Sequence, residues 1–347
     1  MLAVTSKRSA RLGALVVITC MGLAAAGCGS SAPPGGSGDA SGSPSPGTAG
    51  GGTASIAYAA SLVYLNEKVV GPAFEKATGL EYTGRAGPSD GLQAEIAARE
   101  ITPDAFESVG GASIAELMPK FTSWYVQYAT TSIVLAYNPQ SKYASQFKAI
   151  ASGKEPVRDL FTLLQKPGFQ LGRTDPNTDP QGRAFIYMLE LAAMKYHLPA
   201  NTVSKITGSP VNSAKSPQIF EEASLDSTLQ SGQLDAASAY LSQARQLHLD
   251  YITLPSDINL GDAADAAQYK KASVSITTTA GTTTKTGSPL TIDITAINNS
   301  PDGIKWVAYV LSRAGLALHR QQGGYTLLKP TVTGSNVPAS VRRELGG

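Results

Sequence analysis

From residue 55 onward, short runs of consecutive apolar residues alternate with longer runs in which apolar positions recur every three or four residues. The first spacing predicts buried strands and the second amphipathic helices. Strands are predicted over 55–62, 80–83, 104–109 and 132–137, with helices over 66–78, 92–99 and 112–118 between them. A second set follows: a helix over 159–164, a strand over 169–172, a loop over 174–180 and the longest helix over 181–197. That helix is amphipathic through Phe185, Met188, Leu189, Ala192 and Met194. Residues 227–232 lead into a strand over 234–240, and 251–254 heads back toward the first set. Strands over 273–278 and 290–296 flank a Thr/Gly-rich connection, 279–288, and helices over 304–313 and 316–322 close the chain. Such repeats predict parallel sheet with helices on its faces. Crossings near Tyr137 and Leu254 predict two lobes, 55–137 with 255–347 as lobe 1 and 138–254 as lobe 2. Their cleft lies at the carboxyl ends of the strands, where such sheets bind ligands, and the crossings predict a hinge.

The first 54 residues follow neither spacing. Lys7, Arg8 and Arg11 precede an apolar run ending at Ala25, Ala26, Gly27 and Cys28. That run is shorter than the ~20 residues of a membrane span and reads as a signal peptide over 1–27. A Cys after small residues resembles a bacterial lipoprotein signal, in which Cys28 is acylated. Residues 28–54, almost all Gly, Ser, Ala, Pro and Thr, then read as a flexible tether. The expected location is the outer face of the cell membrane, held by a lipid anchor.

Charge narrows the partners. The chain has 28 Lys and Arg against 26 Asp and Glu, with no basic stripe of the kind nucleic acid needs. Cys20 and Cys28 both lie in the leader region, so the remainder carries no disulfide or thiol chemistry. His197, His248 and His319 lack metal-ligand spacing. No nucleophile elbow, phosphate loop or dinucleotide fingerprint is present. A monomer without a cofactor or a bound structural metal is expected, and it is not expected to be an enzyme. The hydrolase alternative rests only on His248, read as lying in a helix after the 234–240 strand.

Four stretches, in order, resemble the tungstate/molybdate-binding lipoproteins of ABC transporters. They are Ala59, Ala60, Ser61 and Leu62; the segment from Trp124 (WYVQYATTSIVLAY); the loop from Gly172 (GRTDPNTDPQG); and a set running from Gln230 through Tyr240, Ser242 and Ala244 to Asp262. The resemblance implies a type II periplasmic-binding-protein fold, α/β and two-lobed, whose interlobe cleft captures an oxyanion for a membrane permease. Another anion or a small organic solute is the alternative.

An oxyanion needs convergent donors, which helix N-termini supply. Ser61 and Ser89 precede predicted helices and are candidate ligands as well as candidate caps. By resemblance, Thr131 and Tyr240 join them, and the Asp179 carboxylate contacts the metal centre of molybdate or tungstate. The family's second carboxylate falls on Ala239 and is missing. Trp124, Tyr125 and Tyr128 are read as packing residues, Arg85 and Arg183 as solvated or salt-bridged.

Overall fold

The computed structural model describes residues 51–278 and 281–346. The expected signal peptide, Cys28 and most of the expected tether lie outside these residues. Among the described residues the strands in chain order are β1 (Thr53–Ala59), β2 (Glu81–Gly87), β3 (Ala105–Val109), β4 (Trp124–Thr130), β5 (Ile133–Tyr137) and β6 (Leu171–Gly172). They continue with β7 (Ala236–Tyr240), β8 (Asp250–Ile252), β9 (Ser273–Thr278), β10 (Gly281–Thr286), β11 (Thr291–Ala296) and β12 (Thr326–Gly334). β1 opens at Thr53, inside the segment read as tether.

One sheet has the order β12-β4-β11-β3-β1-β2, a second the order β6-β7-β5-β8, and β9 and β10 form a separate hairpin. The expectation of parallel sheets needs correcting. β1 is parallel to β2 and β3, but β11 runs antiparallel to β3 and β4, and β12 to β4. The reason is the return of the chain: β11 enters the sheet from the β9–β10 hairpin, and β12 follows it through the helices Pro301–Leu311 and Arg313–Gln321. β12 carries Pro330, which cannot donate to a ladder, and its register slips between Leu327 and Thr331. Such a strand belongs at an edge, which is where it lies.

β5 pairs with β7 and β8, so the strand that sequence spacing grouped with the first lobe belongs to the second sheet. The chain crosses at Thr131 and Ser132, one strand earlier than expected. The return runs alongside: the Thr130 hydroxyl donates to the Leu290 carbonyl at 2.7 Å and lies 3.2 Å from the Gly261 carbonyl. A Cβ on Gly261 would stand 2.7 Å from the Ser132 Cβ, so only glycine lets the strands of the crossing approach this closely.

The first sheet is covered by the helix Pro301–Leu311, which buries Trp306, Val307, Val310 and Leu311 at helical spacing, and by the helix Ser89–Ala98 on the other side. The longest helix, Pro180–Tyr196, is buried along most of its length against the second sheet and the β9–β10 hairpin. Among the described residues no helix is long and apolar enough to cross a membrane.

Candidate functional site

Ser61 lies in a short 3₁₀ turn, Ala60–Leu62, that follows β1 directly. The turn places a hydroxyl at the carboxyl end of the strand. Ser61 is buried, and its Oγ has no hydrogen-bond partner. The Tyr240 hydroxyl, at the carboxyl end of β7 in the other sheet, is equally buried and equally without a partner. Two unpaired buried hydroxyls are costly, and each is a donor waiting for an acceptor.

Asp179 stands at the N-terminus of the long helix and caps it, its Oδ1 accepting from the Gln181 N–H at 2.8 Å. Pro180 at the first helical position fits the same start. A Cβ on Gly182 would come within 2.4 Å of the Thr174 carbonyl and 2.8 Å of the Pro176 nitrogen, so Gly182 lets the 174–176 loop lie against the first helical turn. Burial pushes the Asp179 carboxyl up from the usual range, against the pull of the Gln181 N–H and Arg183.

A second carboxyl, Glu222, shares Gln181 with Asp179 and feels its charge. It opens the helix Glu222–Gln230, whose Glu222, Leu225 and Leu229 fall on one buried stripe. Its Oε1 accepts from Gln181 Nε2 at 2.8 Å and Gln243 Nε2 at 2.9 Å, and the nearby Ser61 backbone N–H favours its charged form. Burial first, then the Asp179 and Asp226 charges, hold Glu222 well above the ordinary carboxylate range. Gln181 is fixed in turn by Ser238, whose Oγ donates to its Oε1 at 3.0 Å. Asp179, Glu222 and Arg183 all act on the Tyr240 hydroxyl, with burial the main reason it resists ionisation.

The five expected side chains divide. Ser61, through its backbone, and Asp179 and Tyr240, through their charges, are linked to Glu222. Ser89 is buried at the start of its helix and its Oγ accepts from the Val109 N–H at 3.2 Å; the hydroxyl proton stays available. It neighbours Asp90, which is ion-paired to Arg183 at 2.8 Å. Thr131 is engaged elsewhere, donating to Ser242 Oγ at 3.1 Å and accepting from the Ser242 N–H at 3.2 Å. Its place is the crossing itself.

Glu222, Gln181 and Gln243 were not singled out in the sequence. The signal for Glu222 was an acidic residue in register with Leu225 and Leu229 on a helical face. Ala239 is buried in β7. Arg85 pairs with Glu95 on the surface at 2.7 Å. Trp124 and Tyr128 are fully buried, and His319 bonds Tyr128 and the Gly315 carbonyl in the core. His248 has φ 53° and lies beyond the helix Leu241–Gln246 rather than in it. Among the described residues no group of His, Cys, Asp and Glu is arranged to hold a metal ion.

A cavity of about 210 Å³ is lined by Ala60, Arg85, Gly87, Pro88 and Glu95 from the first half and by Glu221, Glu222 and Ala223 from the second. Its walls therefore come from both halves of the fold, beside the Ser61 turn.

The sequence profile of the family described as "Bacterial extracellular solute-binding protein" matches residues 54–324. A protein named molybdate/tungstate-binding protein WtpA from Pyrococcus abyssi is 30% identical over 246 residues, 65% of this chain and 68% of that protein. A putative ABC transporter molybdenum-binding protein from Haloferax volcanii is 34% identical over 169 residues, 49% of this chain and 50% of that one. The periplasmic molybdate-binding protein of Azotobacter vinelandii superposes with a TM-score of 0.54 at 16% identity, covering 79% of this chain and 99% of its own. The sulfate-binding protein SubI of Mycobacterium tuberculosis gives 0.50 at 13% identity, covering 85% and 96%. At these identities the likeness is one of fold, the type II periplasmic-binding-protein fold.

Proposed function

The chain belongs to the family of bacterial extracellular solute-binding proteins, and from that premise we propose that its interlobe site captures molybdate or tungstate and presents it to the permease of an ABC importer. The observation that carries this reading is the pair of unpartnered buried hydroxyls, Ser61 Oγ and Tyr240 OH, one from each half of the fold. They are neutral donors, suited to the oxygens of an anion held without a countercharge. The nearby guanidinium, Arg183, is already paired with Asp90.

Asp179 gives the site its character. A carboxylate repels an anion unless its oxygen reaches the central atom. Molybdenum and tungsten accept such an additional ligand, and Asp179 is the group assigned to that contact. The Ser89 hydroxyl supplies a further donor from the first half. Selection rests on size and donor geometry, and no bond of the solute's oxygens is broken. Closure of the halves removes water and strengthens each contact. The relatives named for molybdate and tungstate support the choice of solute. Acylation of Cys28, with 28–52 as the leash, completes the proposal by holding the protein beside its permease.

Thermal melting of the purified protein with molybdate, tungstate, sulfate and phosphate tests the reading. A solute at ~1,000 times its dissociation constant stabilises the fold by about 4 kcal/mol, which raises the midpoint by several degrees. Protection by molybdate and tungstate is expected; protection by none of the four, or by phosphate alone, overturns it.

A further inference from the structure

Two ion pairs join the halves on the side of the long helix, and both are divided in the same sense. Arg183 of the helix Pro180–Tyr196 meets Asp90 of the helix Ser89–Ala98 at 2.8 Å. Lys285 of β10 meets Glu116, the residue after the short helix Ala112–Ala115, at 2.9 Å. Both carboxylates belong to the first half. Both cations belong to the second, because the β9–β10 hairpin is docked there. The Ser273 N–H donates to Glu190 of the long helix at 2.7 Å, the Thr277 N–H to Asn177 Oδ1 at 2.8 Å, and Asn212 Nδ2 to the Ser275 carbonyl at 2.8 Å.

The pairs border a cavity of about 360 Å³ whose walls include Asp90, Ser113, Pro180, Arg183, Tyr187 and Lys285. It adjoins the proposed seat, since Asp90 follows Ser89 and Pro180 follows Asp179 in the chain. Burial keeps the Tyr187 hydroxyl neutral, with its pKa raised to about 12, so the charged groups of these walls are one carboxylate and two cations. The cavity beside the Ser61 turn has the opposite balance, with Glu95, Glu221 and Glu222 against Arg85 alone. A dianion guided by charge therefore approaches along the helix and hairpin rather than past Arg85. The seat itself offers neutral hydroxyls beside two carboxyl groups, a poor lure for an anion still in solvent.

We propose that Arg183 and Lys285 form a capture site for the oxyanion on the second half, used before the halves meet. When the halves part, the two carboxylates leave with the first half and the two cations face the solvent without them. Asp179 also acts on Arg183, but its carboxylate is engaged in capping the long helix. The arriving oxyanion accepts charge-assisted hydrogen bonds from the two cations. As the halves close, Asp90 and Glu116 take the cations back, and the solute passes to the neutral donors of the seat. Full charges attract it and neutral donors hold it. The inference rests on the oxyanion reading above and adds a capture step to it.

Stopped-flow association of tungstate with wild type, Lys285→Met and Glu116→Gln tests the step. Both side chains are partly exposed, where such a pair contributes at most about 1 kcal/mol to folding, so the solute-free variants should melt close to the wild type. The two substitutions break the same pair, yet they should move the association rate in opposite directions. At ~10 mM salt, K285M has lost a capturing cation and should associate about threefold more slowly, while E116Q leaves Lys285 always free and should associate about twofold faster. Both differences should vanish at ~1 M salt, where the screening length is about 3 Å. Association rates that stay unchanged, or that shift in the same direction, in the two folded variants overturn the proposal and make the pair a brace. A wild type that takes up neither tungstate nor molybdate defeats the oxyanion reading, and the capture step with it.

Discussion

The Arg183 guanidinium lies 2.8 Å from the Asp90 carboxylate and ties the long helix after β6 to the helix after β2. Asp90 is held from its other side by the Ser113 hydroxyl at 2.6 Å, and Arg183 also donates to the Pro176 carbonyl at 3.2 Å. The pair thus joins the two halves beside Ser89. Removing one partner of a largely buried pair leaves the other charge uncompensated. Asp90→Asn should speed solute release and weaken tungstate binding by about tenfold, measured by stopped-flow dissociation and calorimetry. An unchanged release rate would show that the pair does not hold the closed form.

Ser61→Ala and Tyr240→Phe are expected to have opposite effects on folding and on binding. Each removes a buried hydroxyl that has no protein acceptor, which relieves a burial cost of about 1 kcal/mol and should raise the melting point of the solute-free protein. Each should also weaken tungstate binding about tenfold. Lower stability in both variants would mean the hydroxyls are satisfied within the fold and are not reserved for a solute.

The sequence was informative where spacing or composition carries a direct physical signal. Strand β3 and the helix Pro180–Tyr196 lie within one residue of their apolar periodicity, while the helix expected over 304–313 starts three residues earlier, at Pro301, and ends at Leu311. β12 was missed because Leu327, Leu328 and Pro330 do not alternate like a central strand, and only pairing with β4 makes it one. β10 was hidden in Thr/Gly composition, which its partner β9 turns into a hairpin. Asp179 was legible because Asp-Pro before a helical run is a start signal. Glu222 was not, since an acidic residue opening a helix ordinarily complements the dipole in solvent. Only the tertiary approach of the Ser61 turn makes it a buried carboxyl.

Thr131→Val tests the assignment of that side chain to the crossing. The variant loses two contacts with Ser242 and should be destabilised by about 1 kcal/mol, read as a lower melting point. Tungstate affinity should shift by less than about threefold, or ~0.65 kcal/mol. A selective loss of affinity at unchanged stability would return Thr131 to the solute.

Glu107 makes stability depend on pH. Its carboxylate accepts from Trp306 Nε1 at 2.7 Å and Asn66 Nδ2 at 3.0 Å in the core of the first half. Burial nevertheless raises its pKa from 4.5 to about 7. A carboxyl raised in the fold contributes stability that is full below its unfolded pKa and lost as pH rises through 7. Asp293, also raised to about 7 by burial, acts in the same direction. Between pH 5 and 8 the wild type should therefore lose stability on the order of 3 kcal/mol through Glu107. Glu107→Gln should flatten that decline in a series of denaturant melts; equal slopes would show that Glu107 ionises without cost.

Calorimetric titration of the purified protein with tungstate, alongside S61A and Y240F, tests the central claim most directly. The account predicts one tungstate per chain in the wild type and about tenfold weaker binding in each variant. Tight binding that neither substitution alters, or no binding by the wild type, would contradict it.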